Sequence, residues 1–215
     1  TEALVKYKNK VEVIPLYLDK NDFGNQFTAG QFKLVREASS GQDYVLFVGR
    51  LVKYKRLDLL LKSFKNVKNN NLKLILLGDG KEKENVIRES LKLGIDKRII
   101  ILSNIDDDTK RCFYKNALFT VLPSTSSEEA FGYVQLESMA MSTPVISFNI
   151  ENSGVGEINK NKYSGIVLKI SEDEGGNILN LTKSMNKLIS DQNLRNQLSK
   201  GALERSKEFT QEKNI

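Results

Sequence analysis

Residues 44–80 read YVLFVGRLVKYKRLDLLLKSFKNVKNNNLKLILLGDG. The stretch opens on Tyr44-Val-Leu-Phe-Val48 and stops at Gly49. A short continuous apolar run bounded by glycine predicts a strand buried on both faces. Leu57, Leu60, Leu61, Phe64 and Val67 follow at helical spacing and predict one apolar stripe along a helix. Leu72-Lys-Leu-Ile-Leu-Leu77 is a second strand, closed by Gly78-Asp79-Gly80. Strand, helix and strand in succession argue for a parallel sheet covered on both faces.

The alternation continues downstream. A charged helix runs from about Lys81 to Leu93 and ends at Gly94. Arg98–Leu102 is a third strand, and Asp108 is the expected N-cap of a helix reaching about Asn116. Ala117–Leu122 is a fourth strand, stopped by Pro123. The Ser/Thr-rich loop 124–127 leads to a helix over Gly132–Met141. Thr143–Ser147 and Ser164–Leu168 are the fifth and sixth strands. Two helices follow, one carrying Leu181, Met185, Leu188 and Ile189, the other running from Gln192 to about Phe209. The expected fold class is α/β, a Rossmann-like doubly wound parallel sheet. Ligands of such sheets sit beyond the carboxyl ends of the strands. That singles out Gly49-Arg50, Gly78-Asp79-Gly80 and the Ser124 loop. Before this region, Val11–Leu18 reads as a strand, and Asp19–Gly30 and Ser39–Gln42 read as loops.

Composition narrows the function. Of 215 residues, 40% are hydrophobic and 28% charged, which describes an ordinary globular protein. Lys plus Arg number 33 and Asp plus Glu 27, giving a formal charge of +6. The basic residues are scattered, which suits an anionic ligand or an acidic membrane surface and not a nucleic acid. The one cysteine, Cys112, cannot form an internal disulfide, and there is no histidine. No metal site is therefore expected. No apolar run reaches the roughly 18 residues of a spanning helix. Thr1–Lys10 is charged where a signal peptide is apolar, so a cytoplasmic location is expected.

The residues with most chemical content lie in Ser127-Glu-Glu-Ala-Phe-Gly-Tyr-Val-Gln-Leu-Glu137. On a helix, Glu137 neighbours Tyr133, Val134, Ala140 and Met141. A carboxylate on so apolar a face needs a partner, and a salt bridge and a ligand are equally open. Glu129 precedes the helix start, where free N–H groups and the dipole favour phosphate. Glu128 is its rival, and spacing does not decide which turns inward. Gly132 allows close approach to the backbone. Arg50 and Lys55 follow the first strand, where a guanidinium fork and an ammonium can neutralise a departing diphosphate. Gly78-Asp79-Gly80 is not a dinucleotide fingerprint, because Lys83 stands where the third glycine belongs.

Together these pieces resemble family 4 glycosyltransferases of the GT-B fold over about residues 11–210. Val13-Ile14-Pro15 with Asp19 resembles the interdomain segment, and Phe47-Val-Gly-Arg-Leu51 with Lys55 the donor-phosphate loop. Leu77-Gly-Asp-Gly80 and Leu122-Pro-Ser124 match next. Glu129 and Glu137 resemble the E-x7-E motif, and Asn152-Ser-Gly-Val-Gly-Glu157 with Gly165 the late loop and strand. The resemblance implies that Gly49, Arg50 and Lys55 hold the donor diphosphate. Glu129 would contact the transferred sugar, and the backbone at Ala130, Phe131 and Gly132 would meet sugar and phosphate. Glu137 would bind the ribose diol, and Ser103, Asn104 and Ile105 would flank the base. It further implies transfer with retention, without metal or other cofactor. The donor would be a nucleoside-diphosphate hexose of the GDP-mannose or UDP-hexose type, serving synthesis of a bacterial surface polysaccharide or glycolipid.

This sequence departs from the family pattern at three places. Leu16-Tyr17 replaces the usual Asn-Gly, Arg56 stands where a glycine is common after the lysine, and Ser103 falls where glycine is frequent. By the resemblance, residues 1–35 are an interdomain connector and edge segment, 36–205 the C-terminal donor domain, and 206–215 the start of a crossover helix. An N-terminal domain binding the glycan or lipid-linked acceptor is missing, so the chain is expected to bind donor and to transfer poorly or not at all alone. In the whole protein that half could touch the inner face of the membrane. Two other readings stand beside this one, a non-catalytic GT-B-like partner and a sugar-nucleotide epimerase relative. Intact Arg50, Lys55, Glu129 and Glu137 count against the first; the lack of histidine and the E-x7-E spacing count against the second.

Overall fold

The computed structural model describes residues 16–19, 23–24 and 26–210. The Val13-Ile14-Pro15 segment and most of the strand expected over Val11–Leu18 lie outside them, as do residues 211–215.

The strands are β1 (Tyr44–Val48), β2 (Lys73–Leu77), β3 (Ile99–Leu102), β4 (Phe119–Leu122), β5 (Val145–Phe148) and β6 (Gly165–Leu168). They form one six-stranded sheet in the order β3-β2-β1-β4-β5-β6, and every pairing is parallel. This is the doubly wound arrangement expected from the sequence. The helices are α1 (Ala29–Ala38), α2 (Leu57–Lys65), α3 (Lys83–Lys92), α4 (Asp107–Asn116), α5 (Val134–Ala140), α6 (Val155–Ile158), α7 (Glu174–Ser190) and α8 (Gln192–Ser206). Among the described residues none is long and apolar enough to cross a membrane.

Strand side chains alternate between two cores. Val45 and Phe47 pack in one layer with Leu57, Leu60, Leu61 and Phe64 of α2 and Leu181, Met185 and Leu188 of α7. Tyr44, Leu46 and Val48 face the other, with Cys112, Phe113 and Tyr114 of α4 and Leu136 and Met139 of α5. All five residues of β1 are buried, which is why that run shows no polar alternation.

Three local readings need correction. The N-cap of α4 is Asp106, not Asp108: only Asp106 is extended and accepts from the Thr109 N–H, at 2.8 Å. Asp108 lies within the first turn. The helix over Gly132–Met141 is shorter, Val134–Ala140, because Gly132 sits at φ 76°, outside the helical region. Helix α1 was not expected and runs across residue 35. It buries only Val35, so its apolar stripe is faint, but Thr28 and Gln31 close a capping box at its start.

Candidate functional site

Strand order reverses between β1 and β4, and a crevice opens at such a switch point. The loops leaving β1, β2, β3 and β4 line it. The first two are joined backbone to backbone: Leu51 N–H donates to Asp79 O at 2.8 Å, and Glu82 N–H to Leu51 O at 2.9 Å. A Cβ on Gly78 would stand 2.0 Å from the Gly49 carbonyl oxygen. Gly78 is thus a position where two loops touch and a side chain has no room.

A cavity of about 270 Å³ beyond β1–β3 is lined by Gly49, Arg50, Gly78, Asn104, Ile105 and Lys110, among others. Arg50 is exposed there, with a hydrogen bond to the Tyr54 hydroxyl at 3.2 Å. Ser103 is directed elsewhere. Its hydroxyl donates to the Gly78 carbonyl at 3.1 Å and accepts from Lys83 at 3.3 Å. It braces the β2 loop, while its neighbours Asn104 and Ile105 line the cavity. The bond from the Gly80 N–H, with the Lys83 charge, holds the Asp79 carboxyl below the usual range.

Beside this cavity, Lys55 and Glu129 form a buried ion pair at 2.5 Å. A Cβ on Gly49 would lie 3.7 Å from the Lys55 ammonium, so the pair adjoins the β1 loop. The buried Ser124 hydroxyl donates to the same carboxylate oxygen, Oε2, at 2.9 Å. Glu129 Oε1 accepts no bond among the described residues. Glu128 is exposed, so Glu129 is the inward carboxylate. The Glu129 carbonyl accepts from the Ser153 hydroxyl, and the Ala130 carbonyl accepts from the Gly154 N–H at 2.7 Å. The N–H groups of Phe131 and Gly132 meet no acceptor among the described residues, leaving two donors at the loop.

Glu137 has protein partners. Its Oε1 accepts from Lys110 at 2.7 Å and its Oε2 from the Tyr114 hydroxyl at 2.9 Å. The partner that its apolar helix face demanded comes from α4, whatever else it binds. Burial lowers the Lys110 pKa, but the Glu137 charge and bonds to Asp107 and Glu137 outweigh it, and the net shift is upward. Burial, then the Glu137 charge, holds the Tyr114 phenol well above the ordinary tyrosine range. A second cavity, about 230 Å³, is bordered by Asp107, Lys110, Arg111, Tyr133 and Glu137.

Sequence reasoning singled out the Ser124 loop but missed Lys110 and Tyr114 as members of this site. Lys110 and Tyr114 are four residues apart on α4, which puts them on one face, but nothing in the sequence said that this face meets Glu137. A larger cavity, about 630 Å³, lies elsewhere, between the 52–58 segment, α3 and Glu174. The carboxylates of Asp58, Glu82, Glu89 and Glu174 that border it are all bonded within the protein. Among the described residues no three His, Cys, Asp or Glu side chains gather as a metal-holding group.

Comparison with known proteins bears on the family and the fold. The sequence model of the family described as "Glycosyl transferases group 1" matches residues 32–205. An uncharacterised glycosyltransferase of Methanocaldococcus jannaschii is 34% identical over 173 residues, 80% of this chain and 46% of that protein. The capsular polysaccharide biosynthesis glycosyltransferase CapM of Staphylococcus aureus is 33% identical over 153 residues, 69% of this chain and 37% of that protein. This chain therefore spans less than half the length of both relatives. Among solved structures, a glycosyltransferase from Rickettsia africae superposes with a TM-score of 0.82 at 20% identity, over 97% of this chain and 56% of that one. The Anabaena protein HepE, solved with UDP, gives 0.79 at 19% identity, over 97% and 57%. At those identities the structures speak for the fold, GT-B and Rossmann-like, and the family match reaches further. This chain belongs to the group 1 glycosyltransferases.

Proposed function

We propose that the chain is the donor-binding half of a retaining hexosyltransferase that uses a nucleoside-diphosphate sugar of the GDP-mannose or UDP-hexose type. The acceptor, a glycan or glycolipid, would be held by a part of the protein outside this chain, which alone transfers poorly or not at all. HepE, a structural neighbour, was solved with UDP, and with UDP and glucose. CapM is named for capsular polysaccharide biosynthesis. Both names fit this reading.

The observation that carries it is the buried Lys55–Glu129 pair next to exposed Arg50 at the sheet's switch point. Lys55 has two further N–H donors beyond the one given to Glu129, and Arg50 offers its fork. Both cations would face the diphosphate. They would stabilise the negative charge that grows on the leaving phosphate as the sugar–oxygen bond breaks. Glu129 Oε1 is an open acceptor for sugar hydroxyls, with its carboxylate already fixed by Lys55 and Ser124. The Phe131 and Gly132 N–H groups would serve the sugar or phosphate oxygens. For retention, the acceptor hydroxyl attacks from the face the diphosphate leaves, and its proton passes to that phosphate oxygen. No protein nucleophile, metal or other cofactor enters this scheme.

The test is calorimetric titration with UDP, GDP and their hexose conjugates, in wild type and in Arg50→Ala and Glu137→Ala. Saturable binding of one nucleotide series, weakened about tenfold or more in both variants, is expected from loss of one charged contact. Binding that both variants keep unchanged would show that the ligand sits elsewhere.

A further inference from the structure

Glu137 is gripped from two sides. The fully buried Tyr114 donates to Oε2 from within the core, and Lys110, 22% exposed, donates to Oε1 from the cleft side. Each carboxylate oxygen accepts one of these bonds and keeps capacity for another. Lys110 is itself fixed, because Asp107 on the first turn of α4 holds the same ammonium at 2.8 Å. It is also the one residue common to the cavity bordered by Glu137 and Tyr133 and the cavity bordered by Arg50, Asn104 and Ile105.

A carboxylate free to turn about its last bond presents its oxygens in any plane. One held at both oxygens presents the remaining acceptor sites in a fixed plane, which suits two adjacent hydroxyls and not one. We propose that Lys110, backed by Tyr114, is a positioning residue that aims Glu137 at the ribose diol and so sets a preference for ribonucleotides over 2′-deoxyribonucleotides. This rests on the donor-nucleotide reading of the site. Lys110 touches the nucleotide only through Glu137 in this account.

The test compares UDP and GDP with dUDP and dGDP by calorimetry in wild type, Lys110→Met, Lys110→Arg and Tyr114→Phe. Inorganic pyrophosphate is the control for the Arg50 side of the site. Wild type should prefer the ribonucleotide about tenfold or more, the value of one hydrogen bond to a charged group. In Lys110→Met that ratio should fall towards one, and pyrophosphate binding should weaken by less than UDP binding does. Lys110→Arg, which can keep both carboxylate contacts, should recover part of the ratio, and Tyr114→Phe should lower it. A purely structural ion pair would shift all affinities together and leave the ratio alone. A ratio unchanged in Lys110→Met or, should that variant not fold, a ratio unchanged in Tyr114→Phe overturns the positioning of Glu137 and spares the donor site. Wild-type binding of neither nucleotide overturns the donor reading itself.

Discussion

Arg56 has left-handed backbone, φ 51° and ψ 46°, a conformation that costs a side-chain-bearing residue about 1 kcal/mol relative to glycine. The structure explains why a glycine is at home there and how arginine is tolerated. The guanidinium bonds Asp58, Glu174 and the Thr125 hydroxyl, so it ties the loop bearing Lys55 to α7 and to the loop bearing Glu129. Those ion pairs are partly exposed and contribute at most about 1 kcal/mol each. Arg56→Gly removes them but relieves the strain, and should stay close to wild type in urea denaturation. Arg56→Ala removes them and keeps the strain, and should be about 1 kcal/mol less stable than Arg56→Gly. Equal stability of the two variants would contradict the strain account.

At the scale of elements, the β1 and β2 loops stand or fall together. Gly78→Ala forces a methyl against the Gly49 carbonyl, where backbone and not a flexible side chain would have to yield. Thermal melting should show a loss of about 3 kcal/mol or more, or no folded protein. Gly41→Ala is the comparison: φ is 69° but nothing lies within 4 Å, so only the conformational cost of about 1 kcal/mol applies. A mild Gly78→Ala would mean the loops can part. Helix α4 gives a pH prediction. Bonds from Thr109, side chain and then N–H, hold the Asp106 carboxyl below its ordinary value. A depressed carboxyl contributes stability above its unfolded pKa and loses it as pH falls through the folded one. The stability difference between wild type and Asp106→Asn, whose amide also caps but does not titrate, should shrink steadily below about pH 4. A difference that stays constant there would remove the charge from the account.

For the whole molecule, the sequence revealed the sheet almost completely, because strands buried on both faces need unbroken apolar runs, as Tyr44–Val48 does. It revealed the Glu129, Lys55 and Arg50 loops, because a doubly wound sheet places strand ends at one crevice. It hid α1, whose single buried residue leaves little periodicity, and it misplaced the α4 cap among three consecutive aspartates. It could not reveal that Lys110 and Tyr114 meet Glu137, since that contact depends on how α4 packs on α5. Nor could it tell that Ser103 turns away from the cleft to brace Gly78. A larger cavity is also no guide: its four carboxylates each hold a protein partner, whereas Arg50 is exposed at the smaller cleft of the switch point and Glu129 beside it keeps an open carboxylate oxygen. The most direct test of the central claim is therefore to find where a nucleoside diphosphate binds, by amide chemical-shift mapping with UDP and GDP. The account predicts shifts at residues 49–55, 104–110 and 124–137, around the switch between β1 and β4. Shifts confined to α3 and the 172–176 segment, around the larger cavity, would contradict it.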